Sequence, residues 1–80
     1  MKPDRGAMWR RLGPPTDQEG SAIEPRTHVD RGLVWNEKWV YVDPKSGDTE
    51  RVVLWHRYEL QGVFTVMPDG SWVAEPIGTA

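Results

Sequence analysis

Two turn signals flank the longest β-prone run of the chain, and they constrain its fold more than any other feature. Asp43-Pro-Lys-Ser-Gly-Asp48 precedes Arg51–Leu60, and Met67-Pro-Asp-Gly-Ser71 follows after one further short run. In each, proline presets φ, the aspartate side chain can bond the turn backbone, and glycine tolerates the reversal. The intervening segments, Leu33–Val42, Arg51–Leu60, Val63–Met67 and Trp72–Glu75, carry most of the valines and aromatic residues, which suit a pleated, half-buried surface. The pattern predicts a mainly β fold, an antiparallel meander of four strands near 38–43, 50–60, 62–67 and 71–75. Leu33–Trp35 is the candidate fifth strand, and the sheet is expected to be curled or closed into a small barrel. Gln61–Gly62 permits a tight turn or a bulge between the second and third strands. Val52, Trp55 and Tyr58 also fit helical spacing, but adjacent valines and the absence of caps favour strand.

Residues 1–31 read as an arm, and 32–80 as the β domain. Pro3, Pro14, Pro15 and Pro25 together with Gly6, Gly13 and Gly20 interrupt regular patterns, and 16–21 is polar throughout. Residues 13–27 are therefore expected to lack regular structure. One short helix is expected at 5–12: Asp4 can cap it, Ala7, Met8, Arg10, Arg11 and Leu12 favour it, and Gly13-Pro14 stops it. Two turns of helix are unstable alone in water, so this segment must dock on something or stay unfolded.

The sheet raises a packing question that bears on function. In either register of the hairpin around residues 43–48, both faces are largely apolar, whereas a sheet with one wet face alternates cleanly. Trp39, Tyr41, Val53 and Trp55 are expected to divide between the two faces unless a bulge intervenes. The second face then needs a cover: barrel closure, the arm, or another subunit. With no cysteines among 80 residues, no disulfide or thiolate site helps to hold so small a domain. Five tryptophans, each hiding roughly 200 Å² when buried, are the natural core.

Catalysis finds little support. His28 and His56 are far apart in sequence, the serines sit in loop-like contexts, and no phosphate loop or paired-carboxylate motif occurs. Nothing points to a cofactor, and His28, Asp30 and His56 are too scattered to mark a metal site. Three aromatic–cationic features remain. Trp9, Arg10, Arg11 and Leu12 lie in a tail whose first twelve residues carry four basic groups and one acid, so an exposed Trp9 could anchor in a partner while the arginines read carboxylates or phosphates. Strand alternation puts Trp55 and Arg57 on one face, with His56 and Tyr58 on the other. Trp35 and Trp39, four apart, would meet on one face of a continuous strand.

Trp39-Val-Tyr-Val-Asp-Pro-Lys-Ser-Gly47 resembles the second strand and loop of WW domains, and Trp72 with Pro76 is similar to their closing pair. Three residues separate that pair here, against two in the family, and the spacing of the first and last tryptophans also departs. No family is assigned on this basis.

The charge distribution ranks the functions. Residues 32–80 hold four basic and seven acidic groups, within a chain of net charge −2. A domain of that sign repels phosphate, which disfavours nucleic acid. No apolar run is long enough for a membrane span or signal peptide, so the expected location is the cytoplasm. The leading expectation is a non-enzymatic protein-interaction module, an accessory protein of a phage or bacterium that docks on a larger assembly. Its partner would be another protein or a second copy, met through Trp9, Arg10, Arg11, Leu12, Trp35, Trp39, Tyr41, Trp55 and Arg57. A nucleic-acid-binding small barrel is the alternative, and carbohydrate binding by exposed tryptophans the third.

Overall fold

In the computed structural model, which describes residues 3–76, both turn signals fold as their chemistry dictates. At the first, Asp43 N–H donates to the Asp48 carbonyl at 2.9 Å, Gly47 N–H returns to the Asp43 carbonyl at 2.8 Å, and the Asp43 carboxylate accepts from Lys45 N–H. At the second, Met67 N–H meets the Ser71 carbonyl, and the Asp69 carboxylate takes both the N–H and the hydroxyl of Ser71. These bonds hold the Asp69 carboxyl below its ordinary pKa.

The turns order a five-stranded antiparallel sheet, whose strands lie side by side in the order β1 (Asp17–Gly20), β4 (Glu37–Val42), β5 (Thr49–His56), β6 (Glu59–Val66) and β7 (Trp72–Ala74). A separate hairpin, β2 (His28–Asp30) with β3 (Leu33–Trp35), forms a two-stranded sheet, and α1 spans Arg5–Leu12. The main sheet stays open rather than closing into a barrel, with β1 and β7 at its edges. Among the described residues, no helix is long and apolar enough to cross a membrane.

Helix α1 starts where Asp4 accepts from Ala7 N–H at 2.7 Å and ends where Gly13 N–H reaches the Trp9 carbonyl. Its docking answers the question of the uncovered face. In the β4–β5 register Trp39 opposes Val53 and Glu37 opposes Trp55. Trp39, Tyr41, Val53 and Trp55 therefore all share one face, contrary to the expected division, and no bulge is needed for it. Met8 and Leu12 of α1 pack on that face with Leu60 and Val63, and the Tyr41 hydroxyl donates to the Gly13 carbonyl at 2.9 Å. Burial there raises the Tyr41 pKa, with Arg51 opposing the shift.

The opposite face carries Val52, Leu54, Phe64, Val66 and Trp72, and the β2–β3 hairpin lies over it through Leu33 and Trp35. The arm thus supplies the helical cover of one face, and the hairpin covers the other through β3. A sheet with apolar residues on both faces needs both layers to keep water out.

The arm holds more regular structure than proline and glycine suggest. Residues 17–20 pair with β4 as an edge strand. All four residues are exposed, so no hydrophobic alternation announces the strand. Gly20 ends it at φ +68°, where a Cβ would strike the Asn36 carbonyl. Residues 31 and 32, across which the sequence divides into arm and domain, are the central residues of the β2–β3 turn, both at positive φ.

Two further expectations change. Trp35 and Trp39 do not meet, because the chain leaves one sheet and enters the other at Asn36; Trp35 packs beneath the hairpin and Trp39 beneath α1. The long strand also ends early. β5 stops at His56, and Arg57–Tyr58 make the reversal, so neither follows strand alternation. Gly62 lies inside β6, where a Cβ would come within 2.7 Å of the Phe64 ring. It leaves room for a ring beside a bulge, since Leu54 pairs with Gly62 but Trp55 with Leu60.

Candidate functional site

The sequence-nominated residues separate into three places. Trp35, Trp39, Tyr41 and Trp55 are core, and Leu12 packs against the cluster of Trp39, Tyr41 and Trp55. Trp55 is fully buried, so it cannot stack a base or sugar beside Arg57 in this fold. Trp9 and Trp39 meet at a right angle, with ring centroids 5.6 Å apart and planes at 86°, yet Trp9 stays 41% exposed. Arg10 and Arg11 are exposed beside it on α1. Arg57 stands apart from all of these, on the β5–β6 turn.

That turn is the most unusual piece of backbone in the molecule. Two-residue hairpin loops with both central residues at positive φ favour Asn-Gly or Gly-Gly, because a Cβ strains this conformation. Here Arg57 has φ +51° and Tyr58 φ +69°. Each bulky residue at such angles costs on the order of 1 kcal/mol.

The surroundings hold the strain in place. Asn36, fully buried, accepts from Arg57 N–H through Oδ1 at 3.0 Å. Its Nδ2 donates to the carbonyls of Ala22 and Glu24, at 3.2 and 3.3 Å. Its backbone N–H reaches the Trp55 carbonyl, and its carbonyl accepts from Ser21 N–H. One side chain therefore fastens the 21–25 loop to the β5–β6 turn. Arg57 Nη2 adds a bond to the Pro25 carbonyl at 3.2 Å, and the Thr27 hydroxyl lies 3.2 Å from His56 Nε2.

On this platform stand large side chains with little protein around them. Tyr58 is 59% exposed and Ile23, in the fastened loop, 81%. Arg26 and Arg57 are exposed at the same end, with Glu24 3.8 Å from the Arg26 guanidinium and Glu59 just after the turn. The result is an apolar–aromatic projection edged by guanidinium and carboxylate groups. Sequence reasoning missed Ile23 and Asn36, and it placed Tyr58 in a strand rather than in a turn. The dipeptide Arg-Tyr carries no turn signal, and Asn36 acts through contacts twelve to twenty-one residues away.

Among the described residues, no three His, Cys, Asp or Glu side chains are placed to hold a metal ion. His28 stacks on Trp35 at 4.4 Å. Arg5 pairs with Glu37 beneath α1 and braces that cover, and Arg51 of β5 pairs with Glu75 just after β7. Lys38 hangs over the Trp35 ring at 5.0 Å while lying 3.7 Å from Asp30 and 3.8 Å from Glu19, which ties β4 to the hairpin and the edge strand. Comparison with protein families, with curated proteins and with solved structures returns no match, so the geometry alone carries the functional reading.

Proposed function

We propose that this chain is a non-enzymatic protein-interaction module whose contact surface is the end of the sheet formed by Ile23, Arg57 and Tyr58. The supporting observation is the strained turn. A chain that needed only to reverse direction would do so at lower energy with Asn-Gly, whereas Arg57-Tyr58 stays at positive φ under a dedicated buried asparagine. Strain of this kind is retained where the side chains serve a purpose beyond the fold. Tyrosine and arginine are also the residues that most often dominate binding energy at protein interfaces.

The test is site-specific photocrosslinking in cells that make the protein. A photoreactive residue at position 58 or 23 should capture the same protein, and one at Gln18 on the edge strand should not. Absence of adducts at both positions, or the same adducts from position 18, refutes the reading.

A further inference from the structure

The two edges of the main sheet are guarded differently. An edge strand with free N–H and C=O groups is a template for another chain, and natural sheets blunt it with charge. β1 carries Asp17 and Glu19, so two β1 edges would set carboxylates against carboxylates. β7 is Trp72-Val73-Ala74, without a charge, and its Val73 is 51% exposed.

The ladder fixes which groups β7 leaves unused. Met67 N–H bonds to the Ser71 carbonyl and Glu75 N–H to the Val63 carbonyl, so residues 71, 73 and 75 turn their backbone toward β6. By alternation, the N–H and C=O of Trp72 and Ala74 point away from the sheet. Side chains alternate too. Trp72 and Ala74 lie on the hairpin face, with Ser71, Val73 and Glu75 on the α1 face.

We infer that β7 pairs antiparallel with β7 of a second copy about a two-fold axis at Val73, joining the two sheets into one. In this register Trp72 opposes Ala74 of the second copy, and Ala74 opposes its Trp72, so every outward group of the two strands is bonded. An indole meets a methyl group on one face, and valine meets valine on the other. An axis at Ala74 would instead bring Pro76 opposite Trp72, and proline has no N–H to give. An axis at Trp72 would set indole against indole where Arg31 already stacks at 4.3 Å.

Charge supports the same register. Ser71 comes opposite Glu75 of the second copy, and the Asp69 carboxylate is bonded to Ser71. Asp69 is thereby brought to the flank where Arg11 stands beside Glu75 and Pro76. Neither Asp69 nor Arg11 lies within salt-bridge distance of an opposite charge among the described residues, and the two-fold axis supplies each with one. A contact limited to residues 69–76 and Arg11 is smaller than the ~1,200–2,000 Å² of a standard interface, so the dimer is weak and reversible. It uses a surface other than the Arg57–Tyr58 turn, so its failure leaves the proposed function standing.

Sedimentation and amide hydrogen exchange of the full chain over a concentration series test it. A limiting dimer is expected. The Trp72 and Ala74 amides should exchange more slowly at millimolar than at micromolar concentration, while that of Gln18 on the other edge is unchanged. V73K sets like charges across the axis, and A74P deletes an outward N–H without touching the β6 ladder. Each variant, checked for folding by circular dichroism, should associate roughly tenfold more weakly or worse. A wild-type chain that stays monomeric at millimolar concentration overturns the inference. So does assembly beyond a dimer, a dimer whose Trp72 and Ala74 amides gain no protection, or undiminished association of either folded variant.

Discussion

Arg5 grips Glu37 through two parallel bonds, Nε to Oε1 at 2.9 Å and Nη2 to Oε2 at 2.7 Å, and Trp39 Nε1 donates to the same carboxylate at 3.1 Å. The Glu37 side chain is 2% exposed, so α1 is held to the sheet by a charge that water does not reach. Removing only one member of such a pair strands the other, at a cost of about 3–5 kcal/mol. Replacing both with apolar groups of similar volume is often neutral. R5M should therefore destabilise the chain more than R5M/E37M does, as read by urea denaturation. Equal stability of the two would show that Glu37 is solvated.

The β5–β6 turn makes a prediction of opposite sign. R57N/Y58G replaces strained residues with those the turn prefers, while the Arg57 backbone N–H bonded to Asn36 is kept. The melting temperature should rise, by the equivalent of roughly 1–2 kcal/mol. N36A should lower it by a similar amount or more, because it unpairs Arg57 N–H and the Ala22 and Glu24 carbonyls together. Hydrogen exchange at residues 56–60 separates the mechanisms, being slower in the first variant and faster in the second. A drop in stability of R57N/Y58G would mean that the turn is not strained.

The Arg51–Glu75 pair sets an acid limit. Glu75 accepts from Arg51 Nε at 2.9 Å and from the Thr65 hydroxyl at 2.9 Å. The Arg51 hydrogen bond, ahead of the Thr65 bond, holds its carboxyl below the ordinary value against the opposing effect of burial. A carboxylate with a depressed folded-state pKa stabilises the fold above its unfolded pKa, near 4.5, and that contribution is lost as pH falls through the lower, folded value. Wild-type stability should therefore decline below about pH 5 more steeply than that of E75Q. Parallel acid titrations of the two would exclude the pair as a contributor.

Deleting residues 1–12 removes Met8, Leu12 and Arg5 at once. The cluster around Trp39, Tyr41, Val53 and Trp55 would then face water. Several hundred Å² of contiguous apolar surface exceeds what soluble monomers usually expose. The truncated chain should bind a hydrophobic dye that the intact chain excludes, and should lose solubility. A soluble truncated chain that ignores the dye would show that α1 is not the cover.

What the chain order alone determined was local chemistry. The turns at 43–48 and 67–71, the Asp4 cap and the Gly13 stop are each set by residues within a few positions of one another, so they could be read without the fold. The antiparallel order of β4 to β7 followed from those turns. What the tertiary structure decided depends on distant partners. The polar segment 17–20 becomes a strand only because β4 offers a free edge. Trp35 and Trp39 separate because the chain changes sheets at Asn36, and Arg57-Tyr58 can occupy a tight turn only because that asparagine holds its backbone. Tyr58 reads as one more strand residue in sequence, since strain and exposure are properties of a backbone conformation imposed from across the molecule.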